Sequence, residues 1–153
     1  MASRKWEILK DLRQRKVDHA QALMLDTEKK KNDAVDSLNQ ILNYIKEYRK
    51  QIKADENAIV SATELARSHR FLQQLIQTSV QQEGLCIQLA YQLKQDQSEL
   101  MRLRSDLKAI EKLDEKERKS QQKSIASREA RALDELARSQ FLGKLHPHGK
   151  YVK

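Results

Sequence analysis

The residues in this chain that are capable of covalent or metal chemistry are few and scattered. There is one cysteine, Cys86, and there are four histidines, at 19, 69, 146 and 148. A nucleophilic thiol needs a base or an electropositive setting to form the thiolate. Cys86 instead recurs with leucines at seven-residue intervals, the position of a small core residue. His19 and His69 have no evident partner in the helical register. His146 and His148 flank Pro147 near the C-terminus, and two histidines in such a segment make a poor metal site. No glycine-rich phosphate loop is present. The expectation is a protein with no catalytic residues, no metal and no cofactor, in which any nucleotide chemistry belongs to a partner. One cysteine forms no disulfide within the chain, which suits a reducing compartment.

Two other groups of residues point to binding. In "ILNYIKEYRKQI", residues 41–52, Tyr44 and Tyr48 stand one helical turn apart in a chain that is only 5% aromatic. Residues 1–16 hold six basic residues, Arg4, Lys5, Lys10, Arg13, Arg15 and Lys16, against Glu7 and Asp11. The net charge of +8 invites a nucleic-acid reading. Against it, bases and acids interleave over most of the chain, as on a solvated helix face, and no aromatic platform accompanies the basic run. A basic end that enters a polar protein channel, or a solvated charge run, accounts for the same residues.

Both groups depend on how helices position them. The 153 residues contain three glycines and one proline, so long uninterrupted helices are expected. No apolar run is long enough for a transmembrane helix, and the N-terminal residues lack a secretory signal. With Trp6 at heptad position d, the a positions run Lys10, Val17, Met24, Lys31, Leu38, Ile45, Ile52 and Ile59. The d positions run on through Arg13, Ala20, Thr27, Ala34, Ile41, Tyr48 and Asp55. A second tract has Leu65, Leu72, Ser79, Cys86, Leu93, Leu100 and Leu107 at a, and Ser68, Leu75, Gln82, Leu89, Asp96, Leu103 and Ile110 at d. Both are coiled-coil patterns.

Between the tracts, Ser61 and Glu64 have capping-box spacing, and Asn57 suits a left-handed helix cap. In an antiparallel pair with its turn there, facing residue numbers total about 120, as Ile45 with Leu75 and Tyr48 with Leu72 illustrate. The expected fold is all-α: a long antiparallel two-helix coiled-coil hairpin, roughly 80 Å long at ~1.5 Å per residue, with a solvated C-terminal helical extension. We expect one rod-like domain, with helices over 3–57 and 62–142, a turn at 58–61 and a flexible tail at 143–153 that begins at Gly143. From Glu111 to Arg131 the seam fades into charge. Apolar spacing then returns at Leu133, Leu136, Ala137, Phe141 and Leu142.

In this register Tyr48 is a seam residue and Tyr44, at g, lies beside the seam. Phe71 is also at g, and g faces g across an antiparallel pair. Ser37, Ile41, Tyr44 and Tyr48 therefore share one flank with Phe71, Leu75, Thr78 and Gln82. Ser79 and Gln82 weaken the seam beneath it. From the residues alone, this flank reads equally as a shield over the seam and as a partner site.

The chain resembles the FliJ family, the small coiled-coil component of the flagellar type III export apparatus. The resemblance rests on "LNYIKEYRKQI" with its paired tyrosines, "RFLQQLIQT" early in the second helix and "REARALDELARSQF" near the end. It implies a non-enzymatic cytoplasmic protein, peripherally associated with the inner membrane at the flagellar base and similar to the central stalk of rotary ATP synthases. The implied partners are the hexameric export ATPase, the cytoplasmic part of the export gate and export chaperones, without nucleic acid. The implied gate surface is Ser37, Ile41, Tyr44, Tyr48, Phe71, Leu75, Thr78 and Gln82. Here Thr78 and Gln82 depart from the family pattern of a smaller residue and a histidine. The implied ring-entering end carries Arg4, Lys5, Lys10, Arg13 and Arg15. A virulence-type secretion stalk and a generic coiled-coil adaptor or chaperone are the alternatives.

Overall fold

The computed structural model describes the backbone of residues 2–145 and the side chains of residues 4–144. Two helices account for nearly all of it: α1, Ala2–Glu56, and α2, Ala62–Leu145. They pack against each other as a helical hairpin, with no strand among the described residues. Contacts divide the chain into two units, Leu12–Asp106 and Met1–Asp11 with Leu107–Lys153. Each helix contributes to both.

In the larger unit every a and d position from Arg13 to Asp55, and from Leu65 to Leu103, is buried or half-buried. The core is thin. Its buried apolar members are Val17, Ala20, Ala34, Ile45, Ile52, Leu93, Leu100 and Leu103. Polar layers interrupt it. Thr27 and Asp96, both buried, meet across the helices with the Thr27 hydroxyl donating to Asp96 Oδ2 at 2.6 Å. The Leu23 carbonyl lies 3.1 Å from the same hydroxyl. One proton cannot serve both acceptors fully, and the carboxylate is the closer and stronger one. Gln92 donates to Asp96 Oδ1 at 2.9 Å, so both carboxylate oxygens are satisfied.

The turn occupies 57–61, one residue more than expected, because α1 ends at Glu56. The Ala58 amide donates to the Asp55 carbonyl at 3.2 Å, and the Val60 amide to that of Ala58 at 3.0 Å. Ser61 Oγ accepts from the Glu64 amide at 3.2 Å, which is the serine half of the capping box. No described residue has positive φ, so Asn57 is not a left-handed cap. The consecutive hydrogen bonds at Ala58 and Val60 close the chain without one. Ile59, at the expected end of the first heptad tract, is fully exposed in this turn. His69, which has no partner in the heptad register, lies 3.5 Å from Glu56 at the end of α1.

In the smaller unit the residues that face each other across the helices are polar and charged. Lys10 pairs with Asp114, and the indole N–H of Trp6 donates to Glu117. Asp114 also takes Arg118, at 3.3 Å. Asp114 is buried and Glu117 half-buried, so the stretch from Glu111 is not wholly solvated; every described residue beyond Glu117 is exposed. Gly143 does not end α2, which runs to Leu145. A glycine in open space, with no positive φ, weakens a helix without stopping it. Residues 146–153, including Pro147 and the paired histidines, lie outside the described residues.

Breaking the Thr27–Asp96 layer tests how the seam is held. Asp96→Ala should cost about 1–3 kcal/mol, because it strands a buried hydroxyl and removes a charge-assisted bond. The double change Thr27→Val with Asp96→Leu should recover most of that loss, since an apolar pair refills a buried polar site. Urea melts of the three proteins measure both. A double variant no more stable than Asp96→Ala would show that the layer is not a coupled pair.

Candidate partner-binding surface

The larger unit brings three aromatic rings together. Tyr44 and Tyr48, one turn apart on α1, stack at 6.2 Å between centroids with planes inclined by 26°. Phe71 arrives from α2 edge-on, 5.1 Å from Tyr48 and 6.4 Å from Tyr44. Edge-to-face contact sets the positive rim of one ring against the negative face of another, and each such pair contributes about 0.5–1.5 kcal/mol beyond area burial. Tyr48 lies half-buried at its d position. Tyr44 and Phe71 remain 52% and 40% exposed. The two g-position rings thus lean on the seam residue and still present more than a third of their surface to solvent.

The rest of the predicted flank divides by function. Ile41 and Leu75 are half-buried in the seam. Thr78 is exposed, but its hydroxyl donates back to the Gln74 carbonyl of its own helix at 2.9 Å. Gln82 donates to the Ala34 carbonyl of α1 at 3.0 Å. With Ser37 and Leu85 it lines a shallow groove of about 390 Å³. Ser79 is buried and its hydroxyl is satisfied by the Ile76 carbonyl at 2.6 Å. The polar residues at 79 and 82 therefore close the seam instead of opening it. The flank that remains available consists of the Tyr44 and Phe71 rings, with the exposed Thr78, Ser37 and Leu85 further along.

The basic residues of α1 occupy different settings. Arg4 and Lys5 are exposed, whereas Arg13 is half-buried. Lys10, itself half-buried, faces Asp114 across the seam, so its charge is already engaged. Arg15 is exposed and lines a groove with Leu12, His19 and Leu23. On the exposed surface of α2, two hydrogen bonds from the Arg102 guanidinium hold the Glu99 carboxyl below its ordinary range, and Glu99 in turn raises Arg102. Cys86 is half-buried at its a position, and no cluster of described residues has the composition of a metal site.

Asp114 and Glu117 are the seam residues that pattern reading missed. Their signal was present, because seven-residue steps from Leu107 and Ile110 reach 114 and 117, but a carboxylate at such a position reads as the end of a seam.

Comparison with known families places these features. The family model described as Flagellar FliJ protein matches residues 3–146, which takes in nearly all of both helices and every residue of the aromatic flank. The chain belongs to the FliJ family. It is accordingly a component of the flagellar export apparatus, and the family's part there is structural and coupling. No curated protein and no solved structure matches the chain. No helix among the described residues is long and apolar enough to cross a membrane.

In this FliJ family member the three rings should differ in what they hold. Tyr48→Ala should lower stability by about 2 kcal/mol, as it empties a half-buried site under two other rings. Tyr44→Ala should cost about 1 kcal/mol or less, because half of that ring already faces water. Chemical denaturation followed by circular dichroism gives both values. Equal losses would make Tyr44 a seam residue.

Proposed function

We propose that this chain is the coupling stalk of its export apparatus. In this reading the aromatic flank binds the cytoplasmic part of the membrane export gate, and the unit built from residues 1–11 and 107–145 enters the hexameric export ATPase. It promotes ring assembly and hydrolysis without catalysing either, and it also engages export chaperones. The protein works in the cytoplasm, peripherally at the inner membrane under the flagellum. The observation that carries the proposal is the exposed pair Tyr44 and Phe71, supported from below by Tyr48.

Large rings cost little conformational entropy to immobilise, and aromatic anchors dominate the energetics of most interfaces. Here they stand on a rigid helical pair, so docking need not order a loop. Ser37, Ile41, Leu75, Thr78 and Gln82 frame the anchors. For the ring, Arg4, Lys5, Lys10, Arg13 and Arg15 are the α1 candidates, of which Lys10 is tied to Asp114. A charged, sparsely apolar unit suits a channel in which tight permanent adhesion would be a disadvantage.

Titration of the purified gate domain against full-length protein is the direct test. Tyr44→Ala should weaken gate binding by about 2 kcal/mol, near thirtyfold, with helicity and ATPase stimulation unchanged. Wild-type affinity in that variant would remove Tyr44 from the gate site.

A further inference from the structure

A feature of α2 in the smaller unit is not used by the seam. Lys108, Lys112, Lys116, Lys119 and Lys123 follow at spacings of four, four, three and four residues. At 100° per residue these spacings keep all five on one narrow strip of the helix. The seam residues Ile110, Asp114 and Glu117 occupy the opposite side, so the lysines point away from α1. All five are exposed. Lys112, Lys116, Lys119 and Lys123 line a shallow surface groove of about 450 Å³ with Glu115 and Ser120. Glu115 pairs with Lys119 at 3.3 Å. It is the one acid in the groove.

Like charges at these spacings repel along a helix, and glutamate at alternate positions would have relieved the repulsion. The sequence uses glutamate freely elsewhere on the same helix. Glu111 and Glu115 at the row's edge relieve part of the repulsion, yet the strip keeps a net positive charge that suits an anionic partner. The chemistry of the row narrows the partner. It contains no arginine fork for bidentate phosphate recognition and no aromatic ring for stacking bases. No large apolar side chain lies on the strip between Lys108 and Lys123 to insert into lipid. Ammonium groups on flexible stems suit carboxylates on a protein wall.

We propose that this lysine row is the surface through which the terminal unit meets its ring, docking on a carboxylate-lined protein surface over roughly 22 Å at ~1.5 Å rise per residue. The inference rests on the ring-entering role proposed above, and it moves the main contact from α1 to α2.

The test uses the full-length chain with Lys112, Lys116, Lys119 and Lys123 all replaced by glutamine. A second variant carries Arg4→Glu and Lys5→Glu. Because the lysines are exposed and mutually repelling, the glutamine variant should melt no lower than wild type. Its stimulation of the purified export ATPase at low salt should fall about tenfold, and wild-type stimulation should fall likewise as salt rises. The α1 variant should lose less. Stimulation by the glutamine variant equal to wild type overturns the proposal, even with the ring reading intact. So does a variant that stimulates normally but loses binding to duplex DNA or to phosphatidylserine vesicles, since the row would then serve phosphates. If wild-type protein gives no stimulation, the ring reading itself fails. Poly-L-glutamate then tests the row separately: wild type should bind it and the glutamine variant should not, and equal binding by both overturns the assignment.

Discussion

The buried hydrogen bond between Thr27 and Asp96 holds the larger unit to one register. A two-helix seam buries only its a and d side chains, so sliding one helix along the other by a heptad costs little apolar contact. Polar layers change that. A slip of one heptad in either direction would take the Asp96 carboxylate away from the Thr27 hydroxyl, and in one direction would set it against Val17 and Ala20. Gln92, on the same helix, could follow Asp96 to any register; Thr27 could not. The cross-helix bond is therefore the discriminating part of the network. Gln82, which reaches the Ala34 carbonyl at 3.0 Å, adds a second cross-helix mark nearer the turn.

The aromatic flank is a consequence of that register. Tyr44 and Phe71 lie at g positions on different helices, and they meet because antiparallel pairing at this phase sets one g row against the other. A slip of one heptad would move Phe71 by two helical turns, about 10 Å at 1.5 Å per residue, and no ring contact at 6.4 Å would survive. The residues that fix the seam thus also assemble the surface. In a globular protein these tasks fall to different layers of a thick core. In a two-helix protein the e and g side chains border the seam directly, so a flank beside the seam shares residues with the packing. Tyr48 does both, filling a d site and supporting the exposed rings.

Much of this was legible because the physics of a helical pair is local and periodic. The heptads from Trp6 and Leu65 predict which side chains are buried, and Ser61 with Glu64 marks the start of α2. The breakdown came where a rule about residue type displaced a rule about position. Lys10 and Asp114 occupy seam positions but look like surface residues, and only the fold shows each neutralising the other. Asn57 and Gly143 have the composition of helix-ending residues. The backbone hydrogen bonds from Ala58 and Val60 make a left-handed Asn57 unnecessary, and nothing near Gly143 demands the conformations that only glycine adopts. The three-ring cluster was legible as a shared flank. That its members touch is a property of the fold. The partner proposed for the flank comes from family membership and chemistry, because shallow grooves on a helical pair do not single out a ligand.

The smaller unit shows how one composition sustains two electrostatic regimes. In its seam, half-buried Lys10 meets the buried Asp114 carboxylate, where solvent screens less, while Arg118 reaches the same carboxylate from the exposed surface. On the outer strip of the same helix, ammonium groups stand in water with a single acid among them, where ions of the buffer screen them strongly. Raising the salt concentration should therefore weaken what the outer strip binds well before it loosens the seam. The net charge of +8 describes neither regime. The face to which each charge belongs decides whether it holds the fold together or remains available to a partner, and helical register sets that face.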